Sequence, residues 1–112
     1  MKVRIKIWLE SDGQNVLGDG RLKLLKAIEE TGSINAASEK MGLSYRHAWG
    51  QIQKLEKRLD MKLVEPKTGG KGGGGTKLTE NAKRFLSDFE EVRCEIDTYV
   101  HEKFDGFKIR KD

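Results

Sequence analysis

Residues 44–59, SYRHAWGQIQKLEKRL, constrain this chain more than any other stretch. On a helix they place Tyr45, Ala48, Trp49, Ile52, Leu55 and Leu59 on one stripe, the i, i+3, i+4, i+7 spacing of an amphipathic helix. That face predicts core. The opposite face carries Arg46, His47, Gln51, Gln53, Lys54, Lys57 and Arg58. Guanidinium, amide and ammonium donors along one side of a packed helix suit an anionic partner, and nucleic acid is the natural one.

Upstream, Ser33 to Leu43 reads as a short helix capped by Ser33 and stopped by Gly42, after which Ser44 caps the next helix. Two helices joined by a tight Gly-containing turn make a helix-turn-helix, in which the second helix enters the major groove with its N-terminal residues at base edges. The small pair Ala36 and Ala37 lets the two helices approach closely. An ordinary helical hairpin within a core is the plainer alternative.

A chain of 112 residues fits one small domain, and its net charge of +4 permits nucleic-acid binding without requiring it. The distribution of charge says more. Residues 44–79 hold eight Lys or Arg against three acids, a net of +5, whereas residues 80–107 hold eight acids against four bases, a net of −4. One region is built to meet phosphate and the next is not. The single cysteine, Cys94, excludes an intrachain disulfide framework and fits a reducing compartment. Cys94, His47 and His101 have no metal-ligand spacing, so no metal site is expected. With no apolar signal region and no membrane-length run, the expected location is the cytoplasm, with no membrane partner.

Lys2 to Glu10 alternates strictly, with Val3, Ile5, Ile7 and Leu9 on one face, and predicts a strand with one buried side. Trp8, on the other face, is expected to lie flat on the surface, with cover of a neighbouring chain as the alternative. Asp12-Gly13 suits a tight hairpin turn, with Gln14 to Leu17 as a short return strand. Gly18 to Gly20 is a breaker. Arg21 to Glu30 then spaces Leu22, Leu24, Leu25 and Ile28 along a scaffold helix ended by Thr31-Gly32, and its acids and bases, Arg21 among them, read as solvated charges.

After a turn at residues 60–62, Leu63-Val64-Glu65 predicts a short strand stopped by Pro66. A glycine-rich loop, Thr68 to Thr76, leads into Lys77-Leu78-Thr79. Two short strands flanking a basic loop after such a helix predict a winged-helix wing. Six glycines in seven positions satisfy almost any glycine motif, and a nucleotide-binding loop would need a parallel strand before it and a helix opening at it, which are absent. Lys67, Lys71 and Lys77, with backbone N–H groups between them, are better placed for DNA phosphates. Thr79 caps a last helix running to about Lys103. In it Ala82, Phe85, Phe89, Val92, Ile96 and Tyr99 follow a heptad rhythm. At about 35 Å this helix outruns a small domain, so its apolar overhang predicts a homodimer through Phe85, Phe89, Val92, Ile96 and Tyr99, while Leu86 and Val100 widen the stripe toward the chain's own body. Phe104 and Phe107 are expected to close the end of the helix or the dimer.

From about Gly20 to Val92 this order resembles the N-terminal DNA-binding domain of ModE-type, molybdate-dependent transcription regulators. The specific parts are S-Y-x-x-A-W (Ser44, Tyr45, Ala48, Trp49) and T-G-G-K-G-G-G-G (Thr68 to Gly75). More distantly, the helix-turn-helix is similar to that of LysR-type regulators. The resemblance implies a dimeric winged-helix DNA binder with the long last helix in its interface and with Ser44, Tyr45, Arg46, His47 and Gln51 facing DNA. Regulators of that type that sense molybdate carry C-terminal oxyanion-binding domains, for which no residues remain after Asp112. The expectation is therefore a stand-alone version with no cofactor. Its operator binding should be indifferent to molybdate or tungstate unless a separate effector-sensing protein takes part.

The sequence thus predicts an α+β, mainly α fold: a winged helix-turn-helix with an N-terminal strand or hairpin over residues 1–79, a dimerisation helix over 80–107 and a frayed tail over 108–112. The expected DNA-binding set is Ser33, Ser44, Tyr45, Arg46, His47, Gln51 and Lys54 on the helices, with Lys67, Thr68, Lys71 and Thr76 on the wing. No catalytic set is suggested. The function expected is sequence-specific binding of double-stranded DNA in transcription regulation, and the alternative is a winged-helix protein–protein interaction module without a DNA site.

Overall fold

The computed structural model describes residues 1–68 and 75–107. A hairpin opens the chain, β1 (Leu9–Ser11) against β2 (Gln14–Leu17), antiparallel. Its turn places Asp12 at φ +51° and Gly13 at φ +76°, the two left-handed residues that a two-residue turn matching strand twist requires. The return strand falls where expected, but the first strand is shorter than its alternation predicts. Residues 1–8 have no ladder, Val3 and Ile7 are half-buried, and Ile5 and Leu9 are exposed. Period-two patterning needs a partner of equal length, and a four-residue β2 can pair only three residues of β1. Trp8 lies on the surface as expected, its indole N–H donating to Glu10 Oε1 at 2.8 Å.

Helix α1 (Asp19–Thr31) starts two residues before the predicted point, because Gly18 serves as an extended N-cap and Gly20 is absorbed into the first turn. Gly32, at φ +75°, ends it. Helix α2 (Ile34–Met41) is capped by Ser33, whose Oγ accepts from the Ala36 N–H at 2.8 Å, and is stopped by left-handed Gly42. Helix α3 (Tyr45–Leu59) is capped the same way, Ser44 Oγ accepting from the His47 N–H at 3.0 Å. The wing strands β3 (Val64–Pro66) and β4 (Thr76–Leu78) pair antiparallel, so Pro66 is the last residue of its strand rather than the residue that stops it. Thr79 bridges wing and last helix: its Oγ1 accepts from Ala82 N–H and donates to the Lys62 carbonyl. Helix α4 (Glu80–Phe104) follows.

One core joins all of these. Leu17 of the hairpin, Leu25 and Ile28 of α1, Ala37 of α2, Ile52 and Leu55 of α3, Leu63 and Leu78 at the wing, and Ala82, Leu86 and Phe89 of α4 are buried together. Each fully buried aliphatic side chain stabilises the fold by roughly 1.5–3 kcal/mol. The first ten residues of α4 therefore belong to the body, and residues 80–107 are not a unit apart. Of the expected dimer set, Phe89 is buried in this core and Phe85 is half-buried against it. Two ion pairs hold this half of α4 on α1, Lys26–Glu90 at 2.6 Å and Arg93–Asp19 at 3.1 Å.

From Val92 onward the apolar stripe is bare, with Val92 53%, Ile96 40% and Tyr99 61% exposed. The projecting half stretches the molecule to 67 Å. At its end the Phe104 and Phe107 rings meet at 5.0 Å between centroids, tilted by 55°, both partly exposed. The first five residues share a groove with them and with His101. Cys94 is exposed. Among the described residues no helix is long and apolar enough to cross a membrane. The predicted tail, residues 108–112, and the wing tip, residues 69–74 with Lys71, lie outside the described residues.

Candidate nucleic-acid interface

Helix α3 sorts its residues by angle into an inward face, an outward strip and a strip on the hairpin side. Ala48, Ile52 and Leu55 are buried, with Trp49 and Leu59 half-buried beside them. Tyr45, placed on that stripe by its spacing, is instead 52% exposed. It sits in the first turn, before the helix has entered the core, and so stands free beside Arg46 and His47.

Opposite the core, at 100° per residue, lie Arg46, Gln53, Lys54 and Lys57, all exposed. No carboxylate among the described residues forms an ion pair with Arg46, Lys54 or Lys57. Gly50 leaves the middle of this strip bare: a β-carbon there would meet nothing within 4 Å. The strip is a row of unneutralised cations along a stretch of open helix.

On the hairpin side the donors are already engaged. Gln51 Nε2 contacts His47 Nε2 at 3.2 Å, Arg21 Nε donates to Gln51 Oε1 at 3.0 Å, and Arg21 Nη1 donates to the Asn15 carbonyl at 3.0 Å. Arg58 donates to that same carbonyl. Burial, and then the like charge of Arg58, hold the Arg21 guanidinium below its ordinary pKa. Arg21 is therefore not the solvated charge that its position in an amphipathic helix suggests. Nothing in the sequence marks it, because its partners lie 30 residues ahead on α3 and 6 residues back on the hairpin. Arg58, read as an outward donor, is likewise turned onto the hairpin. A cleft of about 710 Å³ lined by Trp8, Glu10, Arg21, Met41, His47 and Gln51 separates the hairpin from the start of α3.

On the other flank the wing is fastened to the turn before α2. Thr76 N–H donates to the Gly32 carbonyl at 2.8 Å and Lys67 N–H to the Gly75 carbonyl at 3.0 Å. Ser33, Lys67 and Thr76 are thereby brought together, although 34 and 43 residues separate Ser33 from the other two. Lys67 carries its ammonium back over Gly32. Thr68 is exposed, whereas Lys77 is engaged across the wing by Glu65 at 3.6 Å. Gly75 is required by this contact, since a β-carbon on it would stand 2.6 Å from the Gly32 oxygen. Gly75→Ala is expected to push the wing strand off the α1–α2 turn and to expose the Thr76 amide. That should cost about 0.5–1.5 kcal/mol of stability, read by urea unfolding, with faster hydrogen exchange at Thr76. Unchanged exchange there would mean that the turn accommodates the methyl group.

The profile of the bacterial regulatory helix-turn-helix protein, lysR family, matches residues 20–83 of the chain. The chain belongs to this family. The match spans α1 to the start of α4 and so includes the helix-turn-helix and the wing. Among curated relatives, the chain is 43% identical over 70 residues to the transcriptional regulator ModE of Haemophilus influenzae, covering 62% of this chain and 28% of that one. It is 38% identical over 87 residues to the molybdenum transport protein ModE of Azotobacter vinelandii, covering 78% of this chain and 32% of that one. The chain thus spans about a third of the length of the curated relatives it matches. In fold it is similar to the DNA-binding domain of CbnR in its DNA complex, with a TM-score of 0.57 at 24% identity over 79% of this chain and 95% of that one. The resemblance to ModE-type and lysR-type regulators, and the winged helix-turn-helix expected from it, stand. The family is one of regulators rather than enzymes.

Proposed function

We propose that this chain binds double-stranded DNA sequence-specifically as a transcription regulator and does so as a homodimer in the cytoplasm. The observation that carries the reading is the open outer strip of α3, where Arg46, Lys54 and Lys57 have no carboxylate partner among the described residues. Family membership and the regulators named among its relatives support it. In this reading α3 enters the major groove, and Tyr45, Arg46 and His47 in its first turn reach base edges. Ser44 caps that turn, and Gln51, one turn on, faces the DNA beside His47. Ser33, Lys67, Thr68 and Thr76, with Lys71 assigned from sequence alone, grip a phosphate run beside it.

Duplexes selected from a randomised pool supply the test. Arg46→Ala should lower affinity for the selected duplex by about 1–3 kcal/mol and relax preference at one position. Lys67→Ala should weaken all duplexes alike and reduce the salt slope by about one unit. Unchanged affinity and preference on losing Arg46 would remove α3 from the interface. Binding without salt dependence would favour a protein-interaction module instead.

A further inference from the structure

We propose that Arg21 is the positioning residue of the base-reading surface. By fixing the Gln51 amide it leaves Gln51 and His47 presenting hydrogen-bond donors only, which selects an acceptor-bearing base edge such as guanine and denies Gln51 the adenine pairing open to a free glutamine. This rests on the DNA-binding reading above.

A guanidinium has five N–H donors and no acceptor. Its Nε can therefore meet only the oxygen of the Gln51 amide, as it does at 3.0 Å, and a turned amide would set donor against donor. Arg21 is itself anchored, since Nη1 donates to the Asn15 carbonyl at 3.0 Å. Arg58 closes on that carbonyl from the far end of α3. With Oε1 held toward the hairpin, the amide nitrogen faces His47 Nε2 at 3.2 Å. An amide nitrogen only donates, so Nε2 accepts and the ring N–H is on Nδ1.

What remains for DNA is the second N–H of Gln51 and the Nδ1–H of His47. A free glutamine reads adenine by accepting from N6 and donating to N7. That pairing needs Oε1 to swing toward the base, away from Arg21. Guanine offers two acceptors, N7 and O6, and needs no such movement. Arg21 touches neither base nor phosphate in this account and acts through Gln51 alone.

Two full-chain variants test this, Arg21→Met, which removes the donors, and Arg21→Gln, whose amide offers donor and acceptor alike and so imposes neither orientation on Gln51. Thermal melting establishes that each is folded, and Arg21→Gln stands in if Arg21→Met is not. In the free protein, long-range 1H–15N spectra should show His47 protonated on Nδ1 in the parent and as mixed tautomers in the variants. His101, whose Nδ1 lies 2.8 Å from the Asp97 carbonyl, should be unmoved. In selection from a randomised pool the parent should favour guanine over adenine by roughly tenfold at one position of each half-site. The variants should lose that preference or admit adenine, while Arg21→Gln holds unselected duplex within about twofold of the parent, because Arg21 touches no phosphate and phosphate contacts are insensitive to the amide. His47 protonated on Nε2 in the parent, or an adenine preference that disappears with Gln51→Ala, would overturn the proposal. Duplex binding with a tautomer that ignores Arg21 overturns the role of Arg21 alone. A parent that binds no duplex while its His47 still responds to Arg21 overturns the DNA-binding reading and the base assignment with it.

Discussion

Replacing Val92 and Ile96 together by Asp is expected to yield a monomer that binds a two-half-site duplex roughly a hundredfold or more weakly than the parent. Both side chains are half exposed or nearly so on the bare stripe of α4 that continues to Tyr99. In a dimer that stripe would be buried against its twin. Two carboxylates brought into such a face would each lose hydration without a partner, a cost of several kcal/mol per ion. The monomer itself should barely notice, because neither residue is core, and exposed substitutions change stability by about 0.5 kcal/mol or less. Loss of DNA affinity then follows from loss of linkage. Two joined recognition helices gain roughly 10²- to 10⁴-fold over one through effective concentration. A two-fold dimer would set them on half-sites about 34 Å apart along a near-palindromic operator. Light scattering reads the first outcome and fluorescence anisotropy the second. A variant that remains dimeric would place the interface elsewhere on the molecule.

Ile52→Ala should cost about 2–5 kcal/mol. Ile52 is 1% exposed and sits among Leu25, Ile28, Leu55 and Leu63 in the common core, so the methyl groups removed leave a cavity that several elements would have to move to fill. Against a total stability of about 5–15 kcal/mol for a natural domain, this shifts the thermal midpoint by roughly 10–30 °C. The outer strip of α3 is untouched, so at temperatures where the variant is folded its DNA affinity should stay within about twofold, in line with the weak coupling between separated sites. Urea unfolding and low-temperature binding check the two halves. A loss below about 1 kcal/mol would mean that α3 is held by something other than its inner face.

The sequence by itself determined the elements and most of their ends. Ser33, Ser44 and Thr79 cap their helices, Gly32 and Gly42 end theirs, Asp12-Gly13 turns the hairpin, and Ala48, Ile52 and Leu55 face inward. These are contacts between residues at most four apart, or a periodicity read along one helix, so the residues concerned carry the signal themselves. The outer face of the candidate site was legible to the same extent, in that Arg46, His47 and Lys54 had to share the side of α3 away from its core. The tertiary structure decided what each group touches. It shortened β1 because β2 is short, took Phe89 into the core, turned Arg58 and Arg21 onto Asn15, and set Gly75 against Gly32. Apart from the hairpin pairing and the reach from Arg21 to Asn15, these contacts join residues far apart in the chain. They depend on the angle and distance at which whole elements dock, and that geometry is a sum over the entire core rather than a property of any one segment.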